Sequence, residues 1–126
     1  MSRLRILLAD DHTIVRQGLR KILEARPQWE VVAEAADGRD AIKQAEEVKP
    51  DVAIVDVAMP LLNGIEAVRQ IARKAAGTRV LVLSMHNDEA YVTQMLRAGA
   101  AGYLLKDSAD VDLLQAVEAV ASGKSF

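Results

Sequence analysis

Five short, predominantly apolar runs recur along the chain: Leu4 to Ala9, Val31 to Ala35, Val52 to Val55, Val80 to Leu83 and Tyr103 to Leu105. Runs of this kind suit strands covered on both faces, because each side must meet another layer. Between them, apolar residues return at helical spacing: Val15, Leu19, Ile22 and Leu23; Ile42, Ala45 and Val48; Ile65, Val68 and Ile71. The same spacing recurs in Val92, Met95 and Leu96, and in Val111, Leu114, Val117 and Ala121. Strand and helix thus alternate five times. Parallel strands joined by right-handed crossovers then predict an α/β, doubly wound, five-stranded parallel sheet with helices on both faces. Pro50, Pro60 and the glycines at 38, 64, 77, 99 and 102 fall at the junctions, where helices stop and chains turn.

The 126 residues, 51% of them hydrophobic, suffice for one ordinary core and leave little for a second. One domain over residues 1–126 is expected, without internal linker, repeat or low-complexity run. A net charge of -2 offers no general attraction to nucleic acid or to an anionic membrane, which would require excess Lys and Arg on one face. The absence of cysteine rules out disulfides and thiolate metal sites and is compatible with a reducing compartment. Met1 to Arg5 leads straight into a short strand, too brief for a signal-peptide core or a membrane span. A cytoplasmic location is expected.

In such a sheet, ligands bind beyond the carboxyl ends of the strands, near the point where strand order reverses. Those ends carry Asp10, Asp11 and His12 after the first strand, Asp56 after the third, Ser84 after the fourth and Lys106 after the fifth. Each has a bland alternative. Asp11 is an adequate cap for a helix beginning near Thr13, Ser84 an early cap for one near Asp88, and Asp56 and Lys106 ordinary surface charges. Capping does not explain their joint occurrence at four strand ends. Three clustered carboxylates repel one another unless cations are close, and one divalent ion plus Lys106 would balance them. Oxygen ligands without a His/Cys cluster favour Mg2+, held by carboxylates, waters and a substrate phosphate. Such a pocket suits phosphoryl transfer, with an aspartate as nucleophile.

The segments Leu7-Leu8-Ala9-Asp10-Asp11-His12, Asp56-Val57-Ala58-Met59-Pro60, Asn63-Gly64 and Gly99-Ala100-Ala101-Gly102-Tyr103-Leu104-Leu105-Lys106 resemble the signature of the response-regulator receiver domain of two-component signalling. The resemblance spans essentially the whole chain and implies a flavodoxin-like (βα)5 fold. It implies that Asp56 accepts a phosphoryl group from a sensor histidine kinase, with Asp10, Asp11, Asp56 and the backbone carbonyl of Ala58 holding Mg2+. It further implies that Ser84 is the switch hydroxyl, Lys106 the phosphate-contacting ammonium and Tyr103 the aromatic that turns inward on activation. Tyr103 also fits a plain packing role on an edge strand. The switch would act on the face made by the fourth helix, fifth strand and fifth helix.

His12-Thr13-Ile14-Val15-Arg16 and the ending Ala121 to Phe126 are similar to the NarL/FixJ subfamily. Members of that subfamily usually continue into a helix-turn-helix DNA-binding domain. The expectation is therefore an excised receiver, with a stand-alone receiver working through protein contacts as the alternative. Contact with DNA would come only through the absent output domain, and phosphorylation is a candidate trigger for homodimerisation. Ala58 supplies no side chain to steer water, so phosphate lifetime is left open. Enzyme turnover is not expected: a Mg2+-dependent aspartyl phosphatase would need a general acid two residues after its nucleophile, where this chain has Ala58. A flavodoxin-like or dinucleotide-binding module would cradle phosphate after strand one, where this chain puts two acids. His12 and His86 lack a partner histidine at ligand spacing and are read as polar loop or helix-start residues rather than as metal ligands or phosphodonors. Trp29 is expected to pack rather than to bind.

Overall fold

Apolar side chains on both sides of the central strands call for a helical layer on each. The computed structural model, which describes residues 3–57, 64–85 and 89–124, has both layers. In chain order the elements are β1 (Leu4–Ala9), α1 (Thr13–Glu24), β2 (Trp29–Ala35), α2 (Gly38–Val48), β3 (Val52–Asp56), α3 (Gly64–Lys74), β4 (Arg79–Ser84), α4 (Glu89–Ala98), β5 (Gly102–Leu105), a 3-10 turn (Lys106–Ser108) and α5 (Ala109–Ala121). The five strands form one sheet in the order β2-β1-β3-β4-β5, every neighbouring pair parallel. After β1 the chain steps outward to β2 and then crosses back to β3, so strand order reverses between β1 and β3. The doubly wound expectation holds.

The period-two alternation of strand side chains assigns each residue to one layer. Ile6, Leu8, Val52, Ile54, Leu81 and Leu83 pack with Leu19 and Leu23 of α1 and Leu113, Val117 and Val120 of α5. Leu7, Ala9, Ala53, Val55, Val80 and Val82 face the other way, onto Ile42 of α2, Val68 and Ile71 of α3 and Met95 of α4. Burial of a Leu, Ile or Val side chain contributes roughly 1.5–3 kcal/mol, so these two clusters dominate the stability.

Several details differ from the sequence reading; Val15 of α1 and Leu96 of α4, read as part of the helical stripes, are exposed. The β2 strand begins at Trp29, two residues earlier than its apolar run, because Trp29 and Glu30 pair with Leu4 and Arg5 of β1. Trp29 packs against the α1/α5 layer with the Arg26 guanidinium 5.1 Å from its ring centroid, a packing role as expected. In α5 the inward stripe is Ala109, Leu113, Ala116, Val117 and Val120, whereas Val111 is 78% exposed and Ala121 is exposed too. That helix carries apolar residues nearly all round, so spacing alone does not single out the face that meets the sheet.

Candidate functional site

Beyond the carboxyl ends of β1, β3, β4 and β5, several of the residues singled out in the sequence converge. Asp10 follows β1 directly, and its backbone N–H donates to the carbonyl of Ala35 on β2 at 3.0 Å, which continues the ladder one residue past the strand. Its side chain turns back into the fold: Asp10 Oδ1 accepts the His12 backbone N–H at 2.8 Å. This local loop lets the chain leave the strand and enter α1. His12 occupies the N-cap position of α1 without making a side-chain cap.

Asp56 closes β3, opposite Leu83, and Ser84 closes β4, opposite Leu105. Asp10, Asp56 and Ser84 are 0%, 1% and 1% exposed, values that loop charges and solvated caps do not reach. Lys106 opens the turn after β5 and reaches across the sheet edge. Its Nζ donates to Asp56 Oδ2 at 2.8 Å and stands 3.2 Å from Asp10 Oδ2. Burial acts to lower the Lys106 pKa, but the contacts with Asp56 and Asp10 outweigh it and leave the pKa above its usual value. The ammonium is therefore held charged between two carboxylates.

One cation does not satisfy the cluster. Asp11 Oδ1 is buried and accepts no hydrogen bond, and Asp10 Oδ2 has only the shared Lys106 ammonium, 3.2 Å away. Buried carboxylate oxygens normally carry donors or a cation, since desolvating them otherwise costs several kcal/mol. One donor atom from each of Asp10, Asp11, His12 and Asp56 lies within 4.8 Å of every other. The orphaned Asp11 oxygen and the oxygen-rich donor set fit a hard divalent ion.

Tyr103, on β5, is partly buried and packs against the α2/α3/α4 layer, in keeping with the packing alternative. Ala58, expected to lend a carbonyl, and His86 lie outside the described residues.

Sequence reasoning missed the brace behind Asp10. Arg16 on α1 donates from Nη1 to the Asp10 carbonyl at 2.6 Å and from Nε to Glu34 Oε1 of β2 at 2.8 Å. Arg20 pairs with the other oxygen of Glu34 and with Glu24, and these carboxylates raise the Arg20 pKa, mainly through the hydrogen bond to Glu24. The only hint in the sequence is a pair of arginines four apart on one helix. Their common partner becomes visible once β2 is registered beside β1.

Comparison with known proteins shows the family to which the chain belongs. The family model described as "Response regulator receiver domain" matches residues 6–118. The chain belongs to the response-regulator receiver family. This receiver domain is 42% identical to the transcriptional regulatory protein DegU of Brevibacillus brevis over 99% of its own length and 53% of that protein's. It is 43% identical to the oxygen regulatory protein NreC of Staphylococcus haemolyticus, over 98% and 57% respectively. The chain thus spans about half the length of these curated relatives. Among solved structures, the signal receiver domain of NarL from Mycobacterium tuberculosis superimposes with a TM-score of 0.92 at 36% identity, covering 98% of this chain and 100% of that one. A LuxR-family response regulator from Aurantimonas sp. SI85-9A1 gives the same TM-score at 41% identity, over 99% and 90%.

Receiver domains generally bind Mg2+ at an acidic pocket, and the family is typically phosphorylated by histidine kinases. DegU is by name a transcriptional regulatory protein. Among the described residues, no helix is long and apolar enough to cross a membrane.

Proposed function

We propose that Asp56 is the residue of this receiver domain that takes the phosphoryl group, from a phosphohistidine of a sensor kinase. The observation that carries this reading is the buried Asp56 carboxylate, 1% exposed, with the Lys106 ammonium at 2.8 Å, at the reversal of strand order. A carboxylate oxygen of Asp56 attacks phosphorus as the P–N bond breaks, and the bond's electron pair returns to the imidazole of the donor. Lys106 neutralises charge on the transferred oxygens, and Ser84, one strand over, is within the same sheet edge to bind them afterwards. Asp10, Asp11 and Asp56, with the Ala58 carbonyl, would hold Mg2+. When bound, that ion supplies charge neutralisation at the phosphoryl oxygens.

Converting the Asp56 carboxylate into an acyl phosphate adds roughly one net negative charge and three acceptor oxygens to the site. Ser84 and Lys106 are drawn towards them, and Tyr103 of β5 turns into the space beside Ser84. This biases the α4/β5/α5 face between two packings, which need differ by only a few kcal/mol. Output is then a choice of partner, homodimerisation among the candidates. The transcriptional relatives support control of transcription through a DNA-binding domain outside this chain, in the cytoplasm, with residues 1–126 as a single phosphoacceptor domain. A stand-alone receiver is the second reading; the lack of an acidic side chain at Ala58 argues against a turning-over phosphatase.

The test is incubation with acetyl phosphate and Mg2+, followed by intact-mass spectrometry. One phosphoryl group should add to the wild type, none without Mg2+, and none to Asp56→Asn. Labelling of Asp56→Asn at the wild-type rate would assign the acceptor elsewhere.

A further inference from the structure

The imidazole of His12 stands where a fourth ligand would. Its Nδ1 is 3.2 Å from Asp11 Oδ1 and 3.4 Å from Asp10 Oδ1. Neither contact is a hydrogen bond: Asp11 Oδ1 accepts none at all, and the bond to Asp10 Oδ1 comes from the His12 backbone. An imidazole nitrogen this close to two carboxylate oxygens is an arrangement a metal ion would exploit. For metal bonds of about 2.1 Å, neighbouring ligand atoms sit roughly 3.0 Å apart in an octahedron and about 3.4 Å apart in a tetrahedron. The two His12 distances fall within that interval.

The chain position also brings His12 there. The backbone leaves β1 through the loop in which Asp10 Oδ1 binds the His12 N–H, which turns the residue back over the acid pair. The His12 side chain is 62% exposed, so it can adjust by a small rotation without repacking the core. Asp10 Oδ2, on the opposite side of that carboxylate, is engaged with Lys106, so the lysine and the imidazole do not compete for one oxygen.

We infer that His12 is a nitrogen ligand that lets the Asp10, Asp11 and Asp56 cluster hold a divalent transition-series ion such as Mn2+, Ni2+ or Zn2+, and not Mg2+ alone. The inference rests on that cluster being a divalent-metal site. Mg2+ gains little from imidazole, whereas affinity for nitrogen ligands rises along the series from Mn2+ to Ni2+. His12 therefore sets ion preference. With Ni2+ or Zn2+ bound through His12, the ion's position would be drawn towards α1, and the receiver's phosphorylation would become sensitive to which ion is available.

The experiment uses Mn2+ as both ligand and probe. Electron paramagnetic resonance titration measures Mn2+ binding to the wild type and to His12→Gln, and electron spin-echo modulation reads any nitrogen bound to the ion. The wild-type complex should show nitrogen coupling, and His12→Gln should bind Mn2+ without it. By calorimetry, Ni2+ affinity should fall ten- to a hundredfold in His12→Gln, while Mg2+ affinity moves less than twofold. Coincident thermal melts would show that the variant is folded. Mn2+ bound to the wild type without nitrogen coupling, or Ni2+ affinity equal in both proteins, overturns the inference and leaves the Mg2+ site standing. Failure of the wild type to bind any divalent ion overturns the metal site itself.

Discussion

Arg16 donates from Nη1 to the main-chain carbonyl of Asp10 at 2.6 Å, so a helix residue holds the backbone of a buried acid from behind. With its Nε on Glu34, the guanidinium ties α1, the β1–α1 loop and β2 together. A lysine keeps the charge but cannot fork to two acceptors. Arg16→Lys should therefore lose most of what Arg16→Met loses, about 1–2 kcal/mol in urea unfolding. Both should weaken Mg2+ binding severalfold by freeing Asp10, which calorimetry would detect. Unchanged Mg2+ affinity in Arg16→Met would limit the residue to a structural role.

Lys106 separates Asp10 from Asp56. Lys106→Met leaves two buried carboxylates facing each other and should destabilise the metal-free protein by about 1–3 kcal/mol, part of which saturating Mg2+ restores. Because the folded pKa of Lys106 is raised, its stabilising contribution is fully present below the usual value of 10.5 and is lost as pH climbs through the folded value above it. The stability gap between wild type and Lys106→Met should thus stay constant around neutral pH and close as pH climbs above about 10.5. A gap already closed at neutral pH would contradict the pairing.

Asp11 contributes negative charge to a cluster already crowded with it. Without metal, Asp11→Asn should leave the protein as stable as wild type or up to about 1 kcal/mol more so, since relief of like-charge repulsion at a partly exposed group is screened. Mg2+ at ten times its dissociation constant should add about 1.4 kcal/mol to the wild type by mass action and almost nothing to Asp11→Asn. Urea titrations with and without Mg2+ read both effects. An equal Mg2+ increment in the two proteins would remove Asp11 from the ligand set.

Gly64 opens α3 where there is no room for a side chain. A Cβ there would lie 2.3 Å from Val57 Cβ and 2.8 Å from Val57 Cα, the residue directly after Asp56. Backbone must move to admit it, so Gly64→Ala should cost about 1–3 kcal/mol in thermal unfolding and slow phosphorylation by displacing the end of β3. A variant with wild-type melting and labelling would show that the contact yields freely. Gly99, with φ of +117° and Ala72 Cβ 2.7 Å from its own Cβ position, serves as a comparison far from the site.

Much of the candidate site was legible in the chain. Asp10, Asp56, Ser84 and Lys106 could be found without coordinates because each ends or follows an apolar run, and the ends of parallel strands share one edge. The reading failed where a feature has no period or crosses between elements. In α5, apolar residues on nearly every side hid the face led by Leu113. The Arg16 brace depends on Glu34 standing beside β1, which only strand register supplies. The neighbours of His12, the Asp10 and Asp11 carboxylates, likewise come into view only with the turn in the backbone.

By itself, the sequence determined the architecture and the strand-end chemistry, because both follow from local periodicity and from which residue comes after each strand. Tertiary structure alone decided the spacing of charges: Lys106 between Asp10 and Asp56, the Asp11 oxygen left without a donor, and His12 over the acid pair. Those relations depend on the register of separate strands and on side-chain direction at the ångström scale. Neither is encoded in the order of residues along any single segment.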